Sequence, residues 1–334
     1  MSEPLLAVNN LKTRFLSRGK LVYAVNGVSF QVNRGETLGV VGESGCGKSV
    51  TMLSMLRLLP PAARVESGSA IFQGQDLLKM KPREVQKVRG GKIGMIFQDP
   101  MTSFNPVLSI GDQVGEALIY HRGASRAAAL ARAVELLRLV GIPDPEQRVK
   151  DYPHQFSGGM RQRAMIAMAL ACEPDLLIAD EPTTALDVTI QAQIVELVKS
   201  LRDRLGIAII WITHDLSLVA GLADRIMVMY AGLVVEEATT EEIFDDPRHP
   251  YTLGLLTALP AFQAEKKVRR LSAIPGSPPD LRAQPSACPF LARCAYAVER
   301  CAIEVPALLP VVSGLPTNHR IACFVNTRER IAVV

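Results

Sequence analysis

The chain has 334 residues, of which 48% are hydrophobic, 21% charged and 5% aromatic. That length suits two domains, or one large domain with an appendage, and the composition is that of a soluble globular protein. A formal net charge of +4 without a long basic run gives no reason to expect a nucleic-acid partner.

Mean hydropathy is slightly positive, +0.18, so membrane spans need checking. The most apolar stretches, 226–235 and 164–172, are too short to cross a bilayer, which takes about 20 residues. The N-terminus lacks a basic n-region and an apolar core, so no signal peptide is expected. The expected place is the cytoplasm, with any membrane attachment supplied by a partner. Six cysteines there are expected to be free thiols.

In chain order, residues 5–15 and 20–32 alternate as strands do, and Tyr23 lies on the second of them. Its ring could stack on a nucleotide base or simply be a half-buried strand tyrosine. A turn at 33–36 leads to the apolar run 37–41, which suits a buried strand, and residues 50–59 read as a helix ended by Pro60 and Pro61. Between strand and helix lie Gly42, Glu43, Ser44, Gly45, Cys46, Gly47, Lys48 and Ser49, followed by Val50. These eight residues fit G-x-x-x-x-G-K-[ST] completely. The glycines let backbone N–H groups turn inward around phosphates, and the helix N-terminus adds positive potential. Lys48 would reach the β and γ phosphates and Ser49 would ligate Mg²⁺. Flanked in this way, the loop is expected to bind a nucleoside triphosphate.

Further strands are expected at 69–72 and 92–97, the latter ending in Gln98. After Asp99 and Pro100 the pattern becomes helical, over 110–121 and 126–140. Leu130, Val134, Leu137 and Val140 line one predicted face, and Gly141 and Pro143 stop the second helix. The block at about 101–160 reads as a helical subdomain inserted into an α/β alternation. That alternation resumes with a helix at 160–171, a strand at 176–179 ending in Asp180 and Glu181, and an amphipathic helix at 189–205. The stripe of this last helix is Ile190, Ile194, Leu197, Leu201 and Leu205. A strand at 207–213 ends at His214, and 225–230 with 233–236 makes a hairpin across Ala231 and Gly232. Beyond about residue 247 the chain is proline-rich and irregular, with 274–279 as a linker.

Asp180, at the end of a buried apolar run, is placed to hold Mg²⁺, and Glu181 could then polarise an attacking water, so ATP hydrolysis is expected. Ser157, Gly158 and Gly159 stand immediately before a helix and make a second anion-binding helix N-terminus. One phosphate tail needs one such cradle. A second suggests a site completed by another chain.

On these motifs, in this order over about residues 5–238, the chain resembles the ATP-binding subunits of ABC transporters. The resemblance implies an α/β fold: a P-loop ATPase core with an antiparallel β subdomain, an inserted α-helical subdomain and a small irregular C-terminal domain. The implied division is an ATPase domain at 1–246 and an extension at 247–334. It makes Tyr23 the adenine-stacking aromatic, residues 42–49 the Walker A loop, and Gln98 a sensor of Mg²⁺ that couples to the membrane subunit. Ser157, Gly158 and Gly159 become the signature that faces a partner's nucleotide. Asp180 becomes the Walker B aspartate, Glu181 the catalytic glutamate, and His214 the switch histidine. Ala185, Leu186 and Asp187 match the D-loop. Phe156 and Met160 depart from the usual Leu-Ser-Gly-Gly-Gln: phenylalanine keeps an apolar contact, and methionine removes a polar side chain near the partner's nucleotide.

Ser103-Phe104-Asn105-Pro106, Arg248-His249-Pro250-Tyr251, the run 274–279 and Cys288-Pro289-Phe290 resemble the ATPases of peptide and nickel importers. That implies an ATP-hydrolysing subunit energising uptake of dipeptides or oligopeptides from the cytoplasmic face of the cell membrane. Nickel or another small solute is the alternative. The implied partners are two transmembrane permeases, a related but non-identical second ATPase and, indirectly, an extracytoplasmic solute-binding protein. ABC ATPases of DNA repair, chromosome structure or translation would show a long coiled-coil insertion or two cassettes, and this sequence has neither. A protein that only senses ATP is disfavoured by the intact Glu181 and His214.

Cys288, Cys294, Cys301 and Cys323 are separated by five, six and twenty-one residues. The paired C-x₂-C spacing of zinc ribbons is absent, which suits a [4Fe–4S] cluster better than zinc, with four unrelated buried thiols as a further alternative. The importer resemblance favours the cluster. Cys46 lies where helix-end potential could lower its pKa, but it is a common residue at this variable place and is expected to be incidental; Cys172 ends an apolar helix and belongs to the core.

Overall fold

The computed structural model of the chain describes residues 3–17, 19–184, 186–259, 274–311 and 318–327. Its elements begin with β1 (Leu6–Ser17), β2 (Lys20–Val32), β3 (Thr37–Val41), α1 (Lys48–Met55), β4 (Ala63–Phe72), β5 (Gln75–Asp76) and α2 (Pro82–Val88). Then come β6 (Ile93–Ile96), α3 (Pro100–Ser103), α4 (Ile110–Arg122), α5 (Arg126–Leu139), α6 (Pro145–Arg148), α7 (Gly158–Leu170), β7 (Leu176–Asp180) and α8 (Val188–Leu205). The chain continues through β8 (Ala208–Thr213), α9 (Leu216–Ala220), β9 (Arg225–Tyr230), β10 (Leu233–Thr239), α10 (Thr240–Asp245) and α11 (Pro250–Thr257), with short strands β11 (Leu309–Pro310) and β12 (Arg320–Ile321). Backbone contacts divide it into two units, one of residues 32–37 and 79–212, the other of 4–31, 38–78 and 213 onward.

In the first unit β6, β7 and β8 are parallel, with Ile93 opposite Leu176 and Leu176 opposite Ala208. Every residue of β7 and β8 is buried. A parallel strand covered on both faces needs a continuous apolar run, which Leu176 to Ala179 and Ala208 to Ile212 supply. The run in β7 ends on Asp180, so a carboxylate stands at the carboxyl end of the strand. Helix α7 packs on β6 at Gly94, where an added Cβ would lie 2.4 Å from the Ala169 carbonyl oxygen. Helices α4 and α5 each start on a serine, Ser109 and Ser125, whose hydroxyl accepts from the N–H three residues on. The buried face of α5 is Ala129, Ala133, Leu136 and Leu137; of the predicted stripe Leu137 and Val140 are buried, while Leu130 and Val134 are half-buried. Small alanines let α4 approach closely: Ala129 Cβ would lie 3.1 Å from a Cβ built on Gly115. In α8 the buried residues are Ile194, Val198 and Leu201, while Leu205 of the predicted stripe is exposed.

In the second unit β2, β1, β4 and β5 form a four-stranded antiparallel sheet. Strand β4 begins well before the expected residue 69, because β1 pairs with it from Leu6 opposite Phe72 to Phe15 opposite Ala63. Helix α1 lies against β1 and β4, where the Thr13 and Ser54 hydroxyls share a buried hydrogen bond of 2.8 Å. The helix stops at Met55, short of the expected 59. Arg57 adopts a φ of 55°, its N–H donates to Ser54 O, and Leu58 N–H returns to Leu53 O at 2.8 Å. This is the left-handed cap that usually announces itself with glycine. Elsewhere in the unit β3 runs parallel to β9. Strands β9 and β10 form the expected hairpin through Ala231 (φ 51°) and Gly232 (φ 75°), a pair of positive φ values whose twist suits a tight hairpin. Strand β12 adds to β10, and β11 to β12.

Glu236, fully buried in β10, ties the C-terminal segment to this sheet. Its Oε1 accepts from the Arg248 N–H at 2.6 Å and meets His319 Nε2 at 2.7 Å, and its Oε2 accepts from the His249 N–H at 2.9 Å. His249 Nδ1 in turn accepts from the Tyr251 N–H at 3.0 Å and caps α11. Burial pushes the His249 imidazole down to about 4 from 6.5, against the opposing pull of Glu236. Because the folded pKa lies below the unfolded one, His249 stays neutral in the fold while the unfolded chain takes up a proton. The associated stability is intact above 6.5 and is lost as pH falls towards 4. Unfolding free energy should therefore drop by up to about 3 kcal/mol over that window, and His249→Asn should flatten the drop. Urea titrations of both proteins across the window provide the check.

Candidate nucleotide site

Loop 42–47 leaves the buried strand β3 and enters α1 through three glycines of positive φ, Gly42 (156°), Gly45 (80°) and Gly47 (101°). Two of them are also walled in. A Cβ on Gly42 would lie 2.2 Å from Met229 O, and one on Gly47 would lie 2.4 Å from Ala24 O. The turn of the β9–β10 hairpin backs the loop, since the Gly232 N–H donates to Cys46 O at 2.9 Å. Asn26 fixes that turn by donating from Nδ2 to Ala231 O at 3.0 Å and to Tyr23 O at 2.9 Å. Tyr23 is half-buried, and one face of its ring carries the Arg14 guanidinium, 4.7 Å from the centroid.

Lys48 is buried, with 4% of its surface exposed. Its Nζ donates to Gly42 O at 2.6 Å and to Glu43 O at 3.1 Å. The ammonium is thus drawn over the mouth of its own loop, where a phosphate would compete for it. Ser44 is exposed, and Ser49 and Val50 are half-buried in the first turn of α1. Cys46 is incidental, as expected: burial outweighs the Lys48 charge and pushes its thiol up. His214 follows β8 and is exposed.

In the first unit Asp180 ends β7 with 6% exposure, and Glu181 follows at 9%. Glu181 holds a φ of 46°, rare for a residue with a side chain. Its N–H donates to Ile212 O at 3.0 Å. Its carboxylate Oε2 accepts from Thr184 Oγ1 at 2.8 Å and from Gln98 Nε2 at 3.3 Å. The structure thus brings Gln98 and Glu181 together and adds Thr184, which no motif singled out. Ser157 caps α7, its hydroxyl accepting from the Met160 N–H at 3.3 Å. Ser157 and Gly158 are exposed, Gly159 and Met160 half-buried, and Phe156 is buried at 2%. Leu186 and Asp187 are described, Asp187 capping α8; Ala185 lies outside the described residues.

The cysteine expectation meets a different geometry. Cys288, Cys294 and Cys323 are half-buried and Cys301 is buried. Burial, with a smaller contribution from neighbouring cysteines, raises the thiols of Cys288, Cys294 and Cys323, the last to about 11. Among the described residues no group of three or more His, Cys, Asp or Glu is arranged to hold a metal ion. The arrangement of the described residues therefore does not support a [4Fe–4S] centre.

Residues 25–184 match the family model described as ABC transporter, and residues 235–301 match the oligopeptide/dipeptide transporter C-terminal region. The chain is 54% identical over 328 residues to the dipeptide transport ATP-binding protein DppD of Bacillus subtilis, covering 98% of this chain and 96% of that protein. It is 55% identical over 296 residues to the oligopeptide transport ATP-binding protein OppD of the same organism, covering 88% and 82%. The chain belongs to the ABC transporter family.

Solved structures agree. The ATP-binding cassette MJ0796, in a dimeric post-hydrolysis state bound to ADP and phosphate, aligns with a TM-score of 0.63 at 29% identity, covering 70% of this chain and 98% of that one. CbiO1 of Clostridium perfringens, part of the ABC transporter complex cbiONQ, aligns at 0.64 and 26%, covering 80% and 100%. The fold is that of an ABC ATPase cassette, α/β with mixed sheets, and the family's chemistry is ATP hydrolysis.

Since the wall around Gly47 is backbone and its φ is positive, Gly47→Ala is expected to destabilise this ABC ATPase by roughly 1–3 kcal/mol and to weaken ATP binding. Urea unfolding and a fluorescent-nucleotide titration check both effects.

Proposed function

We infer that this chain is the ATP-hydrolysing subunit of an ABC importer of dipeptides or oligopeptides. The match of residues 235–301 to the oligopeptide/dipeptide transporter C-terminal region carries the reading, and relatives at 54% and 55% identity named for dipeptide and oligopeptide transport support it. Among the described residues no helix is long and apolar enough to cross a membrane, so attachment at the cytoplasmic face would come from permease subunits. A second, related ATPase chain would complete each nucleotide site. Residues 1–246 would form the ATPase domain and 247–334 the extension; helices α3 to α7 support a helical part over about 101–160.

In this reading loop 42–49, with Val50, cradles the phosphates, Lys48 exchanges its carbonyl partners for phosphate oxygens, and Tyr23 faces the adenine. Ser157, Gly158 and Gly159 serve the nucleotide of the partner chain; their exposure at the start of α7 supports this. Mg²⁺ would be held by Ser49, Gln98 and Asp180, oxygen donors suited to a hard cation. Gln98 supports that role in that its amide nitrogen donates to Glu181, so its amide oxygen is the atom that would face the cation. When bound, the ion neutralises phosphate charge. Glu181 accepts the proton of the attacking water, its carboxylate oriented by Thr184 and Gln98, and His214 contacts the γ-phosphate.

The same resemblance carries an iron–sulfur centre to Cys288, Cys294, Cys301 and Cys323, where the thiol geometry does not support it. Iron content and visible absorption of anaerobically purified protein decide that point independently of the ATPase. For the ATPase itself, Glu181→Gln should bind ATP normally and lose turnover by about a hundredfold or more, measured in the assembled complex with peptide and binding protein present. Unchanged hydrolysis at this subunit's own site would overturn the assignment.

A further inference from the structure

Glu43, the second residue of the phosphate loop, is gripped by side chains that arrive 208 and 250 residues later in the chain. Arg293 donates from Nη1 and Nη2 to its two carboxylate oxygens at 2.6 and 2.9 Å. The Arg293 side chain is only 4% exposed. Its fork is held in turn: Nε donates to Pro275 O at 2.8 Å and Nη1 also donates to the Tyr230 hydroxyl at 3.2 Å. On the backbone side, the Glu43 N–H donates to the Tyr251 hydroxyl at 2.8 Å. Tyr230, Tyr251 and Phe290 pack against one another with centroids 4.6 to 5.4 Å apart, so both accepting hydroxyls sit on packed rings. The carbonyl of Glu43 accepts from Lys48 Nζ, which makes Glu43 the joint between this assembly and the phosphate-binding lysine.

We propose that Arg293, together with Tyr251, is a positioning residue of the nucleotide site: by fixing Glu43 it holds the phosphate loop in its ATP-receiving shape, so that the C-terminal segment sets ATP affinity. The inference rests on reading residues 42–49 as the phosphate site. A fully exposed ion pair would do little here, but Arg293 is buried while the Glu43 side chain is 29% exposed, and the bidentate fork makes the pair geometrically specific. A loop fixed before the ligand arrives spares binding the cost of ordering it. Neither Arg293 nor Tyr251 is placed at the reacting atoms, so the effect falls on KM rather than kcat.

The test uses the assembled transporter and four variants, Arg293→Gln, Glu43→Gln, the double variant and Arg293→Lys. Each glutamine variant should raise the KM for ATP on the order of tenfold, with kcat nearly unchanged. The double variant should be no worse than the weaker single, since both remove one bond. Lysine, which keeps the charge but loses the fork, should restore the KM in part. A lowered Tm with an unchanged KM, or additive effects in the double variant, would overturn the proposal. Lys48→Ala in the same assay separates the two levels: intact nucleotide binding there fails the phosphate-loop reading itself, whereas lost binding there with an unchanged KM in Arg293→Gln fails only the clamp. Should Arg293→Gln not assemble, Arg293→Lys and Tyr251→Phe carry the same KM comparison, an unchanged KM in both again overturning the proposal.

Discussion

The hydrogen bond from the Gly232 N–H to the Cys46 carbonyl joins the phosphate loop to the turn of the β9–β10 hairpin. A loop of positive-φ glycines has no conformation of its own, because an unfolded glycine populates positive and negative φ alike and loses more freedom on folding than any other residue. Backing by a rigid hairpin turn selects one shape, and Asn26 stiffens that turn by bonding two of its carbonyl neighbours. The walls around Gly42 and Gly47 are backbone atoms, which do not yield as a side chain would. Lys48 then finds its place over the loop carbonyls as a consequence of the fold around it.

The first unit solves a different problem, that of holding carboxylates at the end of an apolar sheet. Strands β7 and β8 are buried throughout, so Asp180 and Glu181 emerge from a region of low dielectric with little freedom of direction. Glu181 carries a backbone conformation that costs on the order of 1–3 kcal/mol for a non-glycine residue. The bond to Ile212 O and the grip of Thr184 and Gln98 on the carboxylate hold it there. A positive φ at this point takes the backbone out of the strand conformation.

Polar contacts tie the C-terminal segment to the rest of the second unit. Glu236 anchors residues 248, 249 and 319 through both carboxylate oxygens, and Arg293 reaches the phosphate loop directly. Buried carboxylates used in this way satisfy several donors at once, which makes them specific, and costly to break. The C-terminal segment is therefore wired to loop 42–49.

Much of the candidate site was legible in the residues themselves. A phosphate loop requires glycines at set intervals, a buried strand requires a continuous apolar run, and an acid at its end is conspicuous; each is a local demand, so the sequence by itself determined loop 42–49, strands β3, β6, β7 and β8, the β9–β10 hairpin and the positions of Gln98, Asp180, Glu181 and His214. Helix faces were less legible, since α5 turns its alanines inward to meet α4, and which stripe is buried depends on what lies opposite. The end of α1 escaped notice because Arg57 takes the left-handed cap without a glycine to mark it. Thr184 on the Glu181 carboxylate, Arg293 and Tyr251 on Glu43, and the neutral, buried state of Cys46 were decided only by tertiary structure. Those contacts join residues up to 250 positions apart, and a pattern read along the chain carries no information about partners that only folding brings within reach.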